Sequence, residues 1–191
     1  MNKLLSFRGV HWLATRFGWK SLRSLSFDEK FRNGVWNFSN ETQSLVDLVE
    51  KYSIQGHILV LGCGTAPIAK ALNPNSYETF LGIDLSQEAI NIASQQTTEK
   101  IRFEIGDMVE YKCNQRYDVI LFAESFYYVP FFLQKAFLRR MSRSLTPTGK
   151  IIVTLVYPEK FLSILKMVRR NFTIEVDEIL IGSERHVLVF R

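Results

Sequence analysis

Cysteine is almost missing from this chain. Cys63 and Cys113 are the only two, they stand at no metal-ligand spacing, and they exclude both a zinc module and a disulfide framework. Long apolar runs are missing too: nothing approaches the roughly 18 to 20 consecutive apolar residues of a membrane-spanning helix. The opening stretch, MNKLLSFRGVHWLATRFGWK, is broken by charges every few residues and shows neither the apolar block nor the cleavage site of a signal peptide. A cytoplasmic, reducing setting is therefore expected. Histidine is sparse as well; His11, His57 and His186 each stand alone, so no metal site is expected. There are no internal repeats, low-complexity tracts or Pro/Gly linkers. What remains is a chain of 191 residues, 47% hydrophobic and 23% charged, which is ordinary for one soluble globular domain.

The net charge of +5 is concentrated at the start. Residues 1–33 hold seven Lys and Arg against Asp28 and Glu29, and the remaining chain has 17 of each sign. The same segment carries Phe7, Trp12, Phe17, Trp19, Phe27 and Phe31. A basic, aromatic-rich stretch suits an anionic substrate, a membrane surface or nucleic acid. The plain alternative is a solvated basic face with an apolar side packed on the domain.

From residue 57 onward, strand-like runs alternate with helix-like ones. HILVLG (57–62), TFLGID (79–84), IRFEIG (101–106), YDVILFA (117–123) and KIIVTLVY (150–157) read as strands. PIAKAL, SQEAINIASQQ and PFFLQKAFLRRMSRSL between them place apolar residues three and four apart. Ser86 is a fitting N-cap, with Glu88 in the first turn. TPTG (146–149) reads as the end of one helix and the start of the next strand. Such alternation implies a parallel sheet covered on both faces. The end departs from it: after EKFLSILKMVRR, the stretches NFTIEVDEILI and GSERHVLVFR read as an antiparallel hairpin.

The turn GCGT after the first strand frees the backbone to approach a ligand closely, at the strand ends where α/β sheets bind their ligands. Asp84 ends the second strand 20 residues after Gly64 and suits ribose hydroxyls. Asp107 follows the third strand and can accept a hydrogen bond from an adenine amino group. A dinucleotide fingerprint wants a third glycine where Pro67 stands, which disfavours a pyrophosphate-binding helix start and with it a nicotinamide-dependent reductase. A cofactor without phosphates needs no such helix start.

ILVLGCGTAPIAKAL, FLGIDLSQEAINIAS, IRFEIGDMVEY, YDVILFAESFYYV and LRRMSRSLTPTGKIIVT together resemble, in order and spacing, the successive motifs of the class I S-adenosylmethionine-dependent methyltransferases. The resemblance covers roughly residues 45–191. AESFYYV and the short tail are loosely similar to small-molecule members, including the nodulation-type N-methyltransferases. It implies a Rossmann-like, doubly wound, mostly parallel α/β sheet of seven strands with an antiparallel last strand. It also implies S-adenosyl-L-methionine as cofactor. Gly62 and Gly64 would line its methionine and ribose part, with Cys63 lending backbone. Asp84 would bind the ribose hydroxyls and Leu85 would lie against the adenine. Asp107 would meet the adenine amino group under Met108, and Ala123 would stand beside the reactive methyl. Two departures stand out: Val60 occupies the place of the family's usual acid, and Ala66 that of its third glycine.

Glu124 and Tyr127 are the catalytic candidates, Glu124 as a base, an amine contact or a rim carboxylate. Tyr128 is a candidate substrate contact, and one of the two adjacent tyrosines is expected in the core because neighbours on a strand point apart. Cys63 is expected to fill space rather than react. Residues 1–45 are expected to form a helical extension or lid on the domain 46–191, with Trp36, Asn37 and Phe38 over the site. The expected reaction is methyl transfer to N or O of a small, anionic molecule. AESF stands where DNA amino-methylating enzymes carry Asn/Asp-Pro-Pro-aromatic, so nucleic acid is not favoured. The alternative is a non-catalytic binding module that uses residues 1–33 on a membrane surface or a partner protein.

Overall fold

The computed structural model describes residues 20–34 and 43–191. Seven strands form one sheet in the order β3-β2-β1-β4-β5-β7-β6. They are β1 (Gly56–Leu61), β2 (Tyr77–Asp84), β3 (Ile101–Ile105), β4 (Tyr117–Ala123), β5 (Leu145–Val156), β6 (Ile174–Ile179) and β7 (Arg185–Phe190). The first five run parallel, and β7 runs antiparallel to both β5 and β6. The chain winds outward from β1 to β3 and then returns to place β4 on the other side of β1. That reversal opens a crevice at the carboxyl ends of β1 and β4. The Rossmann-like fold with a reversed last strand is the one the motifs imply.

Period-two alternation explains how one sheet serves two cores. Ile58 and Val60 of β1 point into one apolar layer, while Leu59 and Leu61 point into the other. Against the first layer pack α2 (Gln43–Ser53), α3 (Pro67–Ala71) and α4 (Gln87–Ala93), through Leu45, Val49, Ile68 and Ile90. Against the second pack α5 (Gln134–Ser142) and α6 (Leu162–Asn171), through Phe137, Leu138, Ile164 and Val168. Phe122, Phe126 and Phe137 build its centre, with Phe126 edge-on to Phe122 at 5.4 Å and stacked on Phe137 at 6.4 Å. A further helix, α1 (Lys20–Arg32), lies against α4.

Ser86 is the N-cap of α4, its hydroxyl accepting from the Ala89 N–H at 3.1 Å. The stretch 146–149 starts β5 ahead of the apolar run 150–157. β5 already begins at Leu145, opposite Tyr117, and the register slips before Lys150 pairs with Val119. Thr146–Gly149 is therefore a bulged strand start, and the helix before it has already ended at Ser142.

Candidate functional site

A cavity of about 530 Å³ opens at the carboxyl ends of the parallel strands, within the size range of small-molecule and cofactor sites. Its floor is the turn after β1. Gly62 and Gly64 both adopt positive φ, 77° and 54°. A β-carbon on Gly62 would stand 2.4 Å from that of Ser125 and 3.2 Å from the Met108 methyl, and one on Gly64 would stand 3.3 Å from the Phe31 ring. Glycine is needed here for both the turn and the space. Ala66, the departure from the third glycine, is itself left-handed at φ 59°. Its cost is thus conformational as well as one added methyl. Pro67 follows at the start of α3, where its fixed φ suits a helix's first turn.

Asp84 closes the cradle. Its Oδ2 accepts the Gly64 N–H at 2.8 Å and its Oδ1 the Ser86 N–H at 2.9 Å. Burial pushes its carboxyl above the usual carboxylate range, and those N–H bonds offset only part of that rise. Each oxygen keeps a further lone pair for a donor such as a ribose hydroxyl. The glycine cradle and this buried acceptor fit an adenosine-containing cofactor. Cys63 lies between them with its Sγ 3.6 Å from the Gly64 carbonyl, and burial followed by the Asp84 charge pushes its thiol well up. The side chain is buried.

Leu85, Asp107, Met108 and Ala123 line the same cavity, so all eight residues of the expected cofactor set meet there. Val60 is fully buried in the first core and reaches the cavity floor, placing an apolar wall where an acid was missed. Trp36, Asn37 and Phe38 lie outside the described residues. The cover that is described comes from α1. Arg23, Phe27 and Phe31, four residues apart on one helical stripe, face the cavity. The Arg23 guanidinium pairs with Asp107 Oδ2, while Asp107 Oδ1 accepts the Val109 N–H at 2.9 Å. The Ser24 hydroxyl donates to the Leu85 carbonyl at 3.1 Å, and Asp28 Oδ1 accepts from the Ser86 hydroxyl at 2.5 Å and the Glu88 N–H at 3.2 Å. Phe27 meets Tyr128 edge-on at 5.3 Å.

The far half of the cavity is aromatic and charged. Glu124 follows β4 at φ 54°. Its Oε2 accepts the Val156 N–H at 2.6 Å, its own N–H donates to Thr154 Oγ1 at 3.2 Å, and Arg185 Nε stands 3.8 Å from Oε1. This carboxylate is held by backbone and cation. Tyr127 and Tyr128 both line the cavity, which corrects the expectation that one would be core. They lie in the 3-10 turn Phe126–Tyr128, where successive side chains fan around a tight helix instead of alternating across a strand. Tyr127 stacks on Phe161 at 4.5 Å and 7°. The Tyr127 and Tyr128 rings meet at 4.7 Å, tilted by 52°. Burial first, then neighbouring charge, pushes Tyr127 up, and burial pushes Tyr128 up to about 12. Both remain protonated near neutral pH.

Arg23, Phe27 and Phe31 belong to the basic, aromatic-rich stretch noted in the sequence, but no motif marks them as cavity residues; their four-residue spacing is the signal that sets them on one face. Tyr157, Lys160, Phe161 and Arg185 were missed because the fold, not the sequence, brings them to β4. Lys160 Nζ sits 4.3 Å over the Tyr157 ring. Among the described residues no cluster could hold a metal ion, and no helix is long and apolar enough to cross a membrane.

Comparison with known proteins agrees with this geometry. A family model described as a methyltransferase domain matches residues 58–149. A 2-heptyl-1-hydroxyquinolin-4(1H)-one methyltransferase from Mycobacteroides abscessus is 24% identical over 123 residues, 62% of this chain and 54% of that protein. The chain thus spans about half the length of this curated relative. Among solved structures, the N-methyltransferase NodS from Bradyrhizobium japonicum, in complex with S-adenosyl-L-homocysteine, superposes with a TM-score of 0.69 at 17% identity, over 86% of this chain and 97% of that one. A TehB-like methyltransferase from Corynebacterium glutamicum gives 0.64 at 21%, over 89% and 98%. At these identities the structural likeness speaks for the fold.

Proposed function

We propose that this chain, a class I S-adenosylmethionine-dependent methyltransferase by its domain and fold, transfers a methyl group to nitrogen or oxygen of a small, anionic molecule. The observation that carries the reading is the buried Asp84 carboxylate, set against the Gly62–Gly64 cradle with acceptor capacity to spare. S-adenosylmethionine, when bound, supplies a methyl group already activated on a sulfonium. The protein's part is then to hold, orient and exclude water.

In this reading Asp84 takes the ribose hydroxyls and Asp107 the adenine amino group, with Leu85 and Met108 on the ring. The carbonyls of Gly62 and Ala123 receive the methionine ammonium in place of the acid that Val60 replaces. Phe27 and Phe31 of α1 form a lid over this half, inside the N-terminal extension 1–45 that covers the domain 46–191. The acceptor lies in the aromatic half, between Tyr127, Tyr128 and Phe161. Lys160 and Arg185 supply the positive field for its negative charge. Glu124, bonded to Val156 and beside Arg185, positions that cation and the end of β5, and Tyr127 acts as a hydrogen-bond donor. The quinolinone in the curated relative's name supports an acceptor with a flat ring.

Calorimetric titration with S-adenosyl-L-homocysteine tests the cofactor half. The expected result is micromolar binding, about −8 kcal/mol, weakened about a hundredfold in Asp84→Ala by the loss of hydrogen bonds to a charged acceptor. No binding at millimolar ligand would overturn the reading.

A further inference from the structure

The even balance of charge beyond residue 33 conceals a second asymmetry. Residues 125–174 contain nine Lys and Arg and a single acid, Glu159. Part of this is neutralised internally: Arg169 pairs with Asp177 and Lys150 with Glu175. On α5 it is not. Lys135 and Arg139 of α5 and Arg143 at its C-cap follow one another every four residues along the exposed side, and no ion pair among the described residues reaches them. The opposite side of α5 is buried through Phe137, Leu138 and Met141, so the helix is fixed with its cations outward.

Two phenylalanines stand at the head of the same face. Phe131 and Phe132 are 62% and 61% exposed and meet each other edge-on at 5.6 Å and 89°. Paired exposed rings ahead of a row of cations are the chemistry of an interfacial helix, with apolar groups for the acyl boundary and cations for anionic headgroups. Single-stranded nucleic acid would instead favour rings ranged along a charged groove. These two rings pack perpendicular to each other at a helix start.

We propose that this face of α5 docks the protein on an anionic lipid bilayer, with Phe131 and Phe132 entering the headgroup boundary and Lys135, Arg139 and Arg143 meeting anionic headgroups. The surface is separate from the basic segment 1–33 and does not depend on the cofactor reading. It begins directly after Tyr127–Pro130, so the chain that walls the acceptor half of the cavity leads straight onto the lipid-facing side.

Sedimentation of the full chain with vesicles of phosphatidylcholine, alone or mixed with phosphatidylglycerol, tests the proposal. Binding to the mixed vesicles only is expected. It should weaken by about a hundredfold when Lys135, Arg139 and Arg143 are replaced by Ala. It should weaken by about tenfold or more in the Phe131→Ser, Phe132→Ser double variant. All five residues are exposed, and unchanged thermal unfolding of each variant separates lost docking from lost folding. The proposal is overturned if the mixed vesicles do not retain the protein, or if both variants sediment like the parent. The latter result would assign lipid binding to residues 1–33. It is also overturned if an RNA oligonucleotide binds at concentrations where vesicles do not.

Discussion

Gly62 combines two constraints that a side chain cannot meet together: a φ of 77° and a β-carbon position 2.4 Å from Ser125. Ser125 has little freedom to withdraw, because its hydroxyl donates to the Leu61 carbonyl at 2.5 Å. Gly62→Ala should therefore lose about 2 kcal/mol or more of stability in urea denaturation, from left-handed strain before the clash is counted. An unchanged midpoint would mean that the turn is more plastic than its geometry implies. At the same scale, the two cavity tyrosines are donors rather than bases, since burial holds both hydroxyls protonated near neutral pH. The legible part of the site was the part written in short motifs. GCGT, GID and GDM each place their side chain by a local turn at a strand end, so Gly62, Asp84 and Asp107 could be read without the fold. Arg185 could not. It reaches Glu124 only because a hairpin about sixty residues further along folds back beside β5.

Among the elements, α1 and the β6–β7 hairpin do the distinctive work. The α1 sequence, KSLRSLSFDEKFR, has no broad apolar face, and its stripe of Arg23, Phe27 and Phe31 ends on the cavity instead of a core. Sequence periodicity finds helices that bury a face, so within the expected 1–45 extension it did not single out this stripe. If α1 closes over the adenine half, Arg23→Ala should speed dissociation of S-adenosylhomocysteine about tenfold in stopped-flow measurements, because a hydrogen-bonded ion pair on the lid is lost. An unchanged off-rate would remove α1 from the role of cover. The hairpin is tied to α6 by Asp177, whose carboxylate takes both the Nε and Nη2 hydrogens of Arg169, at 2.7 and 2.8 Å, and faces His186. Hydrogen bonding from Arg169 first, and from His186 next, holds its pKa down at about 2. A carboxyl depressed in the folded state stabilises above its unfolded value, near pH 4, and loses that contribution as the pH falls through about 2. Asp177→Asn should thus melt below the parent protein at pH 7, with the difference closing towards pH 2. Parallel melting curves across that range would remove the ion pair from the stability of the hairpin.

For the whole molecule, the cofactor half is the larger lever on stability. A ligand present at a hundred times its dissociation constant adds about 2.7 kcal/mol. In a domain of this size that corresponds to about 5 to 10 °C in melting temperature. S-adenosylhomocysteine should raise the melting point by that amount, and S-adenosylmethionine similarly, in a thermal-shift assay; a flat response would tell against the cradle. The doubly wound architecture itself was legible because the central strands β1, β4 and β5, buried on both faces over most of their length, read as apolar runs. The bulge at the start of β5 was not, since it exists only in the pairing with β4. The position of β7 between β5 and β6 has a consequence in time. β6 leaves the ribosome before β7 but has no edge to join until β7 has inserted beside β5. The winding from β1 to β5 can proceed as it emerges, whereas the hairpin must wait and dock as a unit. Arg185 arrives with it, so a growing chain forms the Gly62–Asp84 side of the cavity before the cation beside Glu124 is in place.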